Sequence, residues 1–464
     1  MNEGKSFSDL KYLFYHQCFD DKVFEGRLFN YEKIGQHALI YAQKNSKKLL
    51  NSYLKFPMFL IRLYLFMKGL GTKNKKIALK KYLLIDTGRI RFDKNGKPFS
   101  MYFDQIINSL GRDQVTFFSK VTSDSEEVYE YSFQNLRFQT NIYKLNSKDI
   151  EILKDIVQVL LNIKRKKYFS DLQKRYIYSA FHVFFEEYLL YNKVFSQNNV
   201  SEFGIFTTHY HNESLIAALR MNGIKPIEIQ HGLISKNDIY YVYPKKTNHS
   251  YVRSLFADKI LLYGEYWKSV LDQGYEYENR SAVVGDYTFQ TSLNLTKSLD
   301  KENIILVAAQ KNLFDYYIAY VKKLSNLIEE NEYDWRIILK LHPSEKRVNT
   351  YRHAFDQCNK VQLVSNEVDL YELLSKCKIQ ISIYSTTLYD GLGMGIVNFS
   401  LQNGHNYNEF SENLCKENIA FPLLFEQDPL CAYEKILSNN TSLDRSYYYS
   451  KFEPDFLLKQ LSTD

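Results

Sequence analysis

The stretch "FGIFTTHYHNESLIAALRMNGIKPIEIQHG", residues 203–232, decides the fold. Residues 203–210 are typical of a buried strand, residues 213–223 of a helix that ends at a glycine, and residues 225–230 of a second strand. Two strands that flank a helix in this order form a right-handed parallel crossover. The sequence therefore predicts a parallel sheet in which a histidine and a glycine, His231 and Gly232, directly follow a strand.

The same alternation continues towards residue 440. Strands this apolar are typical of a parallel sheet that helices cover on both faces. We therefore predict an α/β protein with two doubly wound Rossmann-like domains that face a central cleft. The further predicted strands are "KILLYG" (259–264), "SAVVGD" (281–286), "NIILVAAQ" (303–310), "WRIILKLHP" (335–343), "KVQLVS" (360–365), "IQISIYS" (379–385) and "IVNFSL" (396–401).

The 464 residues exceed the usual size of one domain, so we divide the chain. Residues 1–250 are predicted to form an N-terminal Rossmann-like domain with added helices, and "KYLLIDTGRIRFDKNGKPFSMYF" (81–103) to contribute two strands around a turn. Residues 251–440 are predicted to form the second Rossmann-like domain. Residues 441–464 are expected to be a tail that packs back on the first.

Composition narrows the class of protein. Hydrophobic residues make up 45% and charged residues 24%, as in a soluble globular protein. The net charge of +7 suits an anionic partner such as a nucleotide, a polyanionic acceptor or an anionic membrane surface. No nucleic acid is expected, because the chain has no Lys/Arg-rich arm and no recognition motif.

Compartment and membrane contact are predicted from the cysteines and the N-terminal part. The five cysteines match no zinc module, which favours reduced thiols in a cytoplasmic protein. No signal peptide is recognised at the N-terminus. The stretch "FPMFLIRLYLFMKGLG" (56–71) is too short and too charged to span a bilayer; it predicts a buried helix or a helix lying on a membrane surface.

Ligands of open parallel sheets bind beyond the carboxyl ends of the strands. In "LKLHPSEK" (339–346), a strand delivers Lys340, His342 and Pro343 to such an end. The histidine can donate to a phosphate oxygen, Lys340 adds positive charge, and the proline fixes the backbone where the loop begins. An ordinary turn at the end of a strand explains the same residues.

A second candidate is "ISIYSTTLYDGLGMG" (381–395), in which Ser385, Thr386 and Thr387 lie where a strand leads into a helix. Thr387 with Asp390 fits a capping box. Free backbone N–H groups at a helix start also bind phosphate, with hydroxyls completing the site. The two interpretations are compatible, because only one hydroxyl can cap the helix.

His231 is the third candidate, as a general base, a proton donor or a contact to phosphate. A structural hydrogen-bonding role is the alternative. A metal site would need ligands such as His209, His211, Glu213 and His231. Their spacing fits no standard metal-binding pattern, so no metal is expected. The chain also has no Asp-x-Asp, no Walker A motif and no Gly-x-Ser-x-Gly.

Four motifs in order, "EIQHGLI", "LLYGEYWKSVLDQGY…VVGD", "ILKLHPSEK" and "SIYSTTLYDGLGMGIVNFSL", resemble the twin-Rossmann (GT-B) glycosyltransferases of bacterial capsule and lipopolysaccharide synthesis. The resemblance is greatest to the Kdo transferases and the bacterial sialyl- and polysialyltransferases, which use CMP-activated acidic sugars. It spans about residues 200–402. It implies that the first domain binds the acceptor and the second the nucleotide sugar.

The resemblance also implies residue roles. His342 and Pro343 would hold the CMP phosphate, and Asp390 would approach the ribose. His231 would face the transfer site as the catalytic residue. The other residues expected at the donor are Gln230, Gly232, Gly285, Lys340, Ser385, Thr386 and Thr387.

The implied function is metal-independent transfer of a sugar, such as Kdo or a sialic acid, to a cell-surface glycan or glycolipid. No cofactor besides the donor is expected, and the protein would be cytoplasmic or peripheral at the inner face of the cell membrane. One alternative is a teichoic-acid-type transferase of glycerol or ribitol phosphate from a CDP-alditol, and another is a catalytically silent nucleotide-sugar-binding subunit. The acidic pair that polysialyltransferases use is not evident, and neither are the acids that a UDP-sugar epimerase would need.

Overall fold

The computed structural model describes residues 77–86, 90–92, 98–119, 128–133, 171–196, 200–209, 212–234, 241–242, 256–274, 277, 279–287, 301–310, 313–342, 345–365, 368–402, 408–439 and 445–462. Several features of the sequence analysis lie outside these ranges: the N-terminus with Cys18, the apolar stretch 56–71, the turn predicted within 81–103, His211 and Pro343. The described part forms two compact units.

The first unit is built on a seven-stranded parallel sheet. Its strands are β1 (Tyr82–Asp86), β4 (Val115–Ser119), β5 (Tyr131–Ser132), β6 (Phe203–Phe206), β7 (Lys225–Ile229), β8 (Lys259–Leu262) and β9 (Ser281–Val283). Their order is β5-β4-β1-β6-β7-β8-β9. The chain runs outward from β1 to β5 and then returns to the other side of β1, so the topological switch point lies between β1 and β6.

Two short strands follow β1 on either side of the predicted turn, and the turn itself lies outside the described ranges. Strands β2 (Ile90–Phe92) and β3 (Pro98–Ser100) pair antiparallel, with Ile90 opposite Ser100. The helices that the described residues of this unit form before the second sheet are α1 (Asp104–Leu110), α2 (Asp171–Phe195), α3 (Glu213–Met221) and α4 (Glu265–Leu271).

The crossover of residues 203–230 forms as predicted. Helix α3 buries residues 213–219 and is followed by Gly223, whose φ of +70° suits the residue after a helix end. The helix packs very closely on β6, because a Cβ on Gly204 would overlap the side chain of Leu219. A glycine within this strand therefore lets the helix approach the sheet.

The second unit contains a six-stranded parallel sheet. Its strands are β10 (Glu302–Ala308), β11 (Arg336–Lys340), β12 (Val361–Val364), β13 (Cys377–Ser382), β14 (Val397–Gln402) and β15 (Phe421–Leu424). The order β12-β11-β10-β13-β14-β15 is that of a Rossmann fold, with the switch point between β10 and β13. Its helices are α5 (Phe314–Glu330), α6 (Val348–Phe355), α7 (Leu370–Lys376), α8 (Thr387–Gly393), α9 (Asn408–Lys416), α10 (Pro429–Ser438) and α11 (Arg445–Tyr448).

The prediction of two doubly wound Rossmann-like units is confirmed. The boundary between them lies after Val284 and not after residue 250, where it was predicted. Strands β8 and β9 continue the first sheet, with Ile227 opposite Lys259 and Ile260 opposite Ser281, so the first unit extends to Val284. The second unit comprises Gly285–Phe452. The sequence analysis had placed both strands in the second half, because an apolar pattern reports that a strand is buried and not which neighbour it pairs with.

The C-terminal residues divide between the units. Residues 445–452 belong to the second unit, where the Tyr448 hydroxyl donates to the Glu417 carbonyl at 2.5 Å. Residues 453–464 belong to the first unit. There α12 (Pro454–Ser462) packs against α1, and the Lys259 ammonium donates to the Gln460 carbonyl at 2.8 Å.

Two further observations concern thiols and membranes. Cys358, Cys377, Cys415 and Cys431 are free thiols. No helix in the described ranges combines the length and the apolar character needed to cross a bilayer.

Candidate functional site

The second sheet brings three of the predicted site residues to its carboxyl edge. His342 lies just after β11 and is exposed, while Ser385 and Thr386 lie between β13 and α8. Strands β11 and β13 flank β10 on opposite sides, so their ends are separated by about 10 Å, two strand spacings. The imidazole and the hydroxyls therefore border the switch point of this sheet, where ligands of such sheets bind.

The floor of this edge is a hydrogen-bonded network around Tyr317. Its hydroxyl lies 2.9 Å from Gln310 Oε1, to which it donates, and 3.3 Å from Ser382 Oγ. The Ser382 hydroxyl donates to the Ala308 carbonyl at 2.7 Å. Burial raises the pKa of Tyr317, so the phenol stays protonated. The network ties the ends of β10 and β13 to α5 and makes this floor rigid.

The start of α8 differs from the predicted capping box. The helix begins at Thr387, and Ser385 Oγ accepts from the Thr387 N–H at 3.3 Å and from the Thr387 hydroxyl at 2.9 Å. Gln380 on β13 donates to the same hydroxyl at 2.7 Å. Asp390 accepts instead from the Tyr371 hydroxyl at 3.2 Å. Thr387 is thus held within the protein, whereas Thr386 is exposed.

Two charged side chains hold the segments that follow β11 and β12. The Lys340 ammonium donates to the carbonyls of Ser365 and Val368, so it braces the segment that follows β12. The carboxylate of Glu345 accepts from the backbone N–H groups of Lys346 and Arg347 at 2.9 and 3.0 Å. The Arg347 side chain and these two amides hold the pKa of Glu345 at about 2.

Arg347 is also fixed from its other face. Its guanidinium lies 4.3 Å from the ring centre of Phe314, at the start of α5, and its Nε donates to Glu345 at 3.1 Å. Sequence reasoning singled out Lys340, His342 and Pro343 in this stretch and missed Glu345 and Arg347. The available signal was an acidic residue shortly before the segment that forms α6, where it can accept free backbone N–H groups.

Gly285 lies where the chain crosses itself. Its φ is +87°, and a Cβ there would overlap the backbone of Lys451. The neighbouring Asp286 N–H donates to the Ser450 carbonyl at 2.9 Å. Burial and the nearby carboxylates of Asp390 and Asp286 raise the pKa of Tyr449. The close approach that requires this glycine is therefore made by the protein's own chain.

In the first unit, His231 follows β7 at the carboxyl edge and is half-buried. The preceding Gln230 is 1% exposed; its amide nitrogen donates to the Gly232 carbonyl at 2.9 Å and its oxygen accepts from the Tyr263 N–H at 3.0 Å. The Tyr102 hydroxyl donates to the His231 carbonyl at 3.0 Å. A Cβ on Gly232 would meet nothing within 4 Å, so there is open space beside this backbone.

Sequence reasoning missed a carboxylate at the same edge. Asp86 ends β1, is fully buried, and accepts from the hydroxyls of Ser100 at 2.6 Å and Tyr129 at 2.9 Å. Burial, together with the nearby Asp86 carboxylate, raises the pKa of Tyr129. The rule that identified His231, a polar residue directly after an apolar strand, applies equally to "YLLID" (82–86).

His209 belongs to a different cluster. It is fully buried, and its Nδ1 lies 2.8 Å from Oε2 of Glu228, a fully buried residue of β7. The hydroxyls of Tyr241 and Tyr277 donate to Glu228 at 2.6 and 2.7 Å. Burial alone would raise the pKa of Glu228, but His209 and the two hydroxyls together lower it below its usual range.

Among the residues that the structure describes, no group of three or more His, Cys, Asp or Glu side chains is arranged to hold a metal ion. His211 lies outside the described ranges.

Comparison with known proteins gives a likeness of fold. No protein-family model and no curated protein matches the sequence. The structure of UDP-GlcNAc 2-epimerase from Methanocaldococcus jannaschii covers 83% of this chain and 99% of its own, with 14% identity and a TM-score of 0.51. That of UDP-GlcNAc 2-epimerase from Neisseria meningitidis bound to UDP-GlcNAc covers 82% and 99%, with 13% identity and a TM-score of 0.48.

A third solved structure, the glycotransferase of kitacinnamycin, covers 83% of this chain and 100% of its own, with 11% identity and a TM-score of 0.43. At identities this low the comparison shows only the fold, and it rests on the M. jannaschii structure, whose TM-score is 0.51. The chain thus has the twin-Rossmann fold of the M. jannaschii structure.

Proposed function

We propose that the protein is a twin-Rossmann glycosyltransferase that moves a sugar from a nucleotide-activated donor to a glycan acceptor. The observation that carries the proposal is the arrangement of His342, Ser385 and Thr386 on both sides of the switch strand β10. The M. jannaschii protein of the same fold is, by its name, an enzyme of a nucleotide sugar, which supports this class of ligand.

The second unit would bind the nucleotide. His342 is exposed at the end of β11 and Thr386 is exposed at the start of α8, so both can donate to phosphate oxygens that lie over β10. Lys340 and Glu345 would act indirectly: Lys340 braces the neighbouring segment after β12, and Glu345 holds the loop that carries His342. Asp390, already bonded to Tyr371, would approach the ribose from α8.

The first unit would supply the proton acceptor. In the reaction, the bond between the sugar's anomeric carbon and the phosphate oxygen breaks, and a bond to the acceptor's hydroxyl oxygen forms. The hydroxyl proton must leave, and His231 would take it. The nucleotide departs with the electron pair of the broken bond, so the step requires no oxidant, reductant or further cofactor.

The donor is proposed to be a CMP-linked acidic sugar, on the resemblance of the His-Pro and Ser-Thr-Thr motifs. The acceptor would be a capsule or lipopolysaccharide glycan, reached from the inner face of the membrane by peripheral contact. The net charge of +7 supports an anionic donor and an anionic surface.

The experiment is a transfer assay. Purified protein is incubated with CMP-sialic acid or CMP-Kdo, with and without lipopolysaccharide or capsule oligosaccharide, and the released CMP and the sugar products are measured. We expect acceptor-dependent release of CMP that falls about 100-fold or more in His231→Ala, the usual order for loss of a general base. His353→Ala is the matched control, because His353 is an exposed histidine on α6.

The outcomes separate the alternatives. A sugar that is epimerised while it remains on the nucleotide would contradict transfer, and UDP-GlcNAc is included for that reason. Polyol phosphate transferred from a CDP-alditol would contradict transfer of a sugar. Binding of nucleotide without turnover of any donor would identify a silent binding subunit instead.

A further inference from the structure

The end of β1, beside the switch point of the first sheet, is covered by the protein's own residues. Asp86 at the end of β1, Ser100 at the end of β3, and Tyr102 and Phe103 in the following turn are between 0 and 1% exposed. Asp86 is therefore closed off from solvent, whereas His231 and Gly232, after β7 at the same edge, are half-buried. We therefore consider what Asp86, Ser100 and Tyr102 contact.

These residues form a continuous hydrogen-bonded clamp. The Ser100 hydroxyl accepts from the Phe103 N–H at 3.3 Å and donates to Asp86 Oδ2 at 2.6 Å. The second bond is short, as expected for a bond to a carboxylate. The Tyr129 hydroxyl donates to the same oxygen at 2.9 Å. The clamp fixes the turn 101–103 to the end of β1.

Tyr102 extends from this turn across the sheet. Strand β6 lies between β1 and β7, so the side chain passes the end of β6 before its hydroxyl reaches the His231 carbonyl at 3.0 Å. The ring of Tyr102 also meets the imidazole edge-on, with ring centres 6.3 Å apart and planes at 78°. Tyr102 therefore contacts both the backbone and the side chain of His231.

Gln230 holds the backbone of residues 230–232 on the side opposite to Tyr102. Its amide bridges the Gly232 carbonyl and the Tyr263 N–H, which ties residues 230–232 to the end of β8. A backbone held on both sides has a fixed direction for its Cα–Cβ bond, and the edge-on ring then limits how the imidazole can rotate.

We propose that Tyr102 is a positioning residue for His231, and that Asp86 acts through Ser100 to keep Tyr102 in place. The proposal rests on the proposed function in one respect, namely that His231 acts in turnover. Tyr102 itself need not touch the substrate, because its two contacts are with the histidine.

The first test is Tyr102→Phe, which keeps the ring and removes only the hydroxyl. We expect kcat to fall about fivefold, the factor that corresponds to one hydrogen bond of ~1 kcal/mol, with KM for the donor unchanged. Ser100→Ala should act in the same direction, and it leaves the Asp86 carboxylate in place. Tyr241→Phe is the matched control: it removes a buried hydroxyl in the same unit that donates to Glu228, and its kcat should stay within twofold of the wild type.

The second test is a double-mutant cycle. If Tyr102 acts through His231, Tyr102→Phe should not change the residual rate of His231→Ala. An equal fivefold loss in both backgrounds would overturn the proposal, as would a change in KM with kcat intact.

A third readout does not depend on turnover. The ring signals of the ten histidines are recorded by NMR, and the signal of His231 is identified from its loss in His231→Ala. Tyr102→Phe should shift that signal, and Tyr241→Phe should not. An unshifted signal would overturn positioning even if the enzyme is active, whereas a shifted signal in a protein without turnover would leave the contact intact and refute the proposed function.

Discussion

The carboxyl edges of the two sheets are built from different kinds of polar residue. In the first unit, Asp86, Gln230 and Glu228 are 0 to 1% exposed and bond to the protein's own hydroxyls, amides and imidazole. In the second unit, His342 and Thr386 are exposed at the corresponding edge. The comparison indicates that the first edge mainly fixes its own loops, whereas the second leaves an imidazole and a hydroxyl exposed, as the proposed nucleotide site requires.

The largest effect on the free energy of unfolding is expected from the buried pair of Glu228 and His209 in the first unit. Glu228→Ala removes the acceptor of His209, Tyr241 and Tyr277 at once, and it should lower the free energy of unfolding by about 3–5 kcal/mol. Urea unfolding followed by circular dichroism measures this. Glu302→Ala is the control, because its ion pair with Arg336 is half exposed and should contribute less than about 1 kcal/mol. Equal effects of the two substitutions would contradict the account of Glu228 as a buried acceptor that holds the end of β7 in place.

A smaller effect is expected at Glu345, which holds the loop of His342. Its pKa is lowered from 4.5 to about 2 in the folded protein, so its contribution to stability is complete above pH 4.5 and is lost as the pH falls towards 2. Glu345→Ala should therefore lower the free energy of unfolding by about 1 kcal/mol at pH 6, and the difference from the wild type should shrink at pH 3. Urea unfolding at both pH values checks this.

The matched control is Glu412→Ala, since Glu412 is an exposed glutamate that pairs with Lys416 one helical turn away. Its effect at pH 6 should stay within about 0.5 kcal/mol. A Glu345→Ala difference that grows as the pH falls would show that the carboxylate does not stabilise this loop.

The sequence predicted the regular parts of the fold well. The apolar runs identify the strands from β6 to β14, because a strand buried on both faces has to be apolar throughout. The edge strand β15 (Phe421–Leu424) was not predicted, since only one of its four residues is fully buried. The unit to which β8 and β9 belong was not predictable in the same way. "KILL" and "SAV" carry no mark of their partner, and only the register with β7 assigns them to the first sheet.

The candidate site was predicted as a set of positions and less well as a set of roles. His231, His342 and Thr386 lie at carboxyl edges, as the strand ends required. Gln230 and Lys340 occupy the same edges, but their polar atoms bond within the protein, which depends on where the carbonyls of Gly232 and Val368 come to lie. Asp86 obeys the same strand-end rule and was overlooked, and its partner Ser100 comes from the hairpin that follows β1.

The most direct test of the central claim, that the second edge binds a nucleotide, is the thermal stabilisation of the protein by CMP, CDP, UDP, UMP and GDP without added metal. A ligand at a hundredfold its dissociation constant adds about 2.7 kcal/mol of stability. We predict a shift that is largest with CMP, is retained in His231→Ala and His353→Ala, and is reduced in His342→Ala. A shift lost in His231→Ala but kept in His342→Ala, or no shift with any of the five nucleotides, would contradict the account.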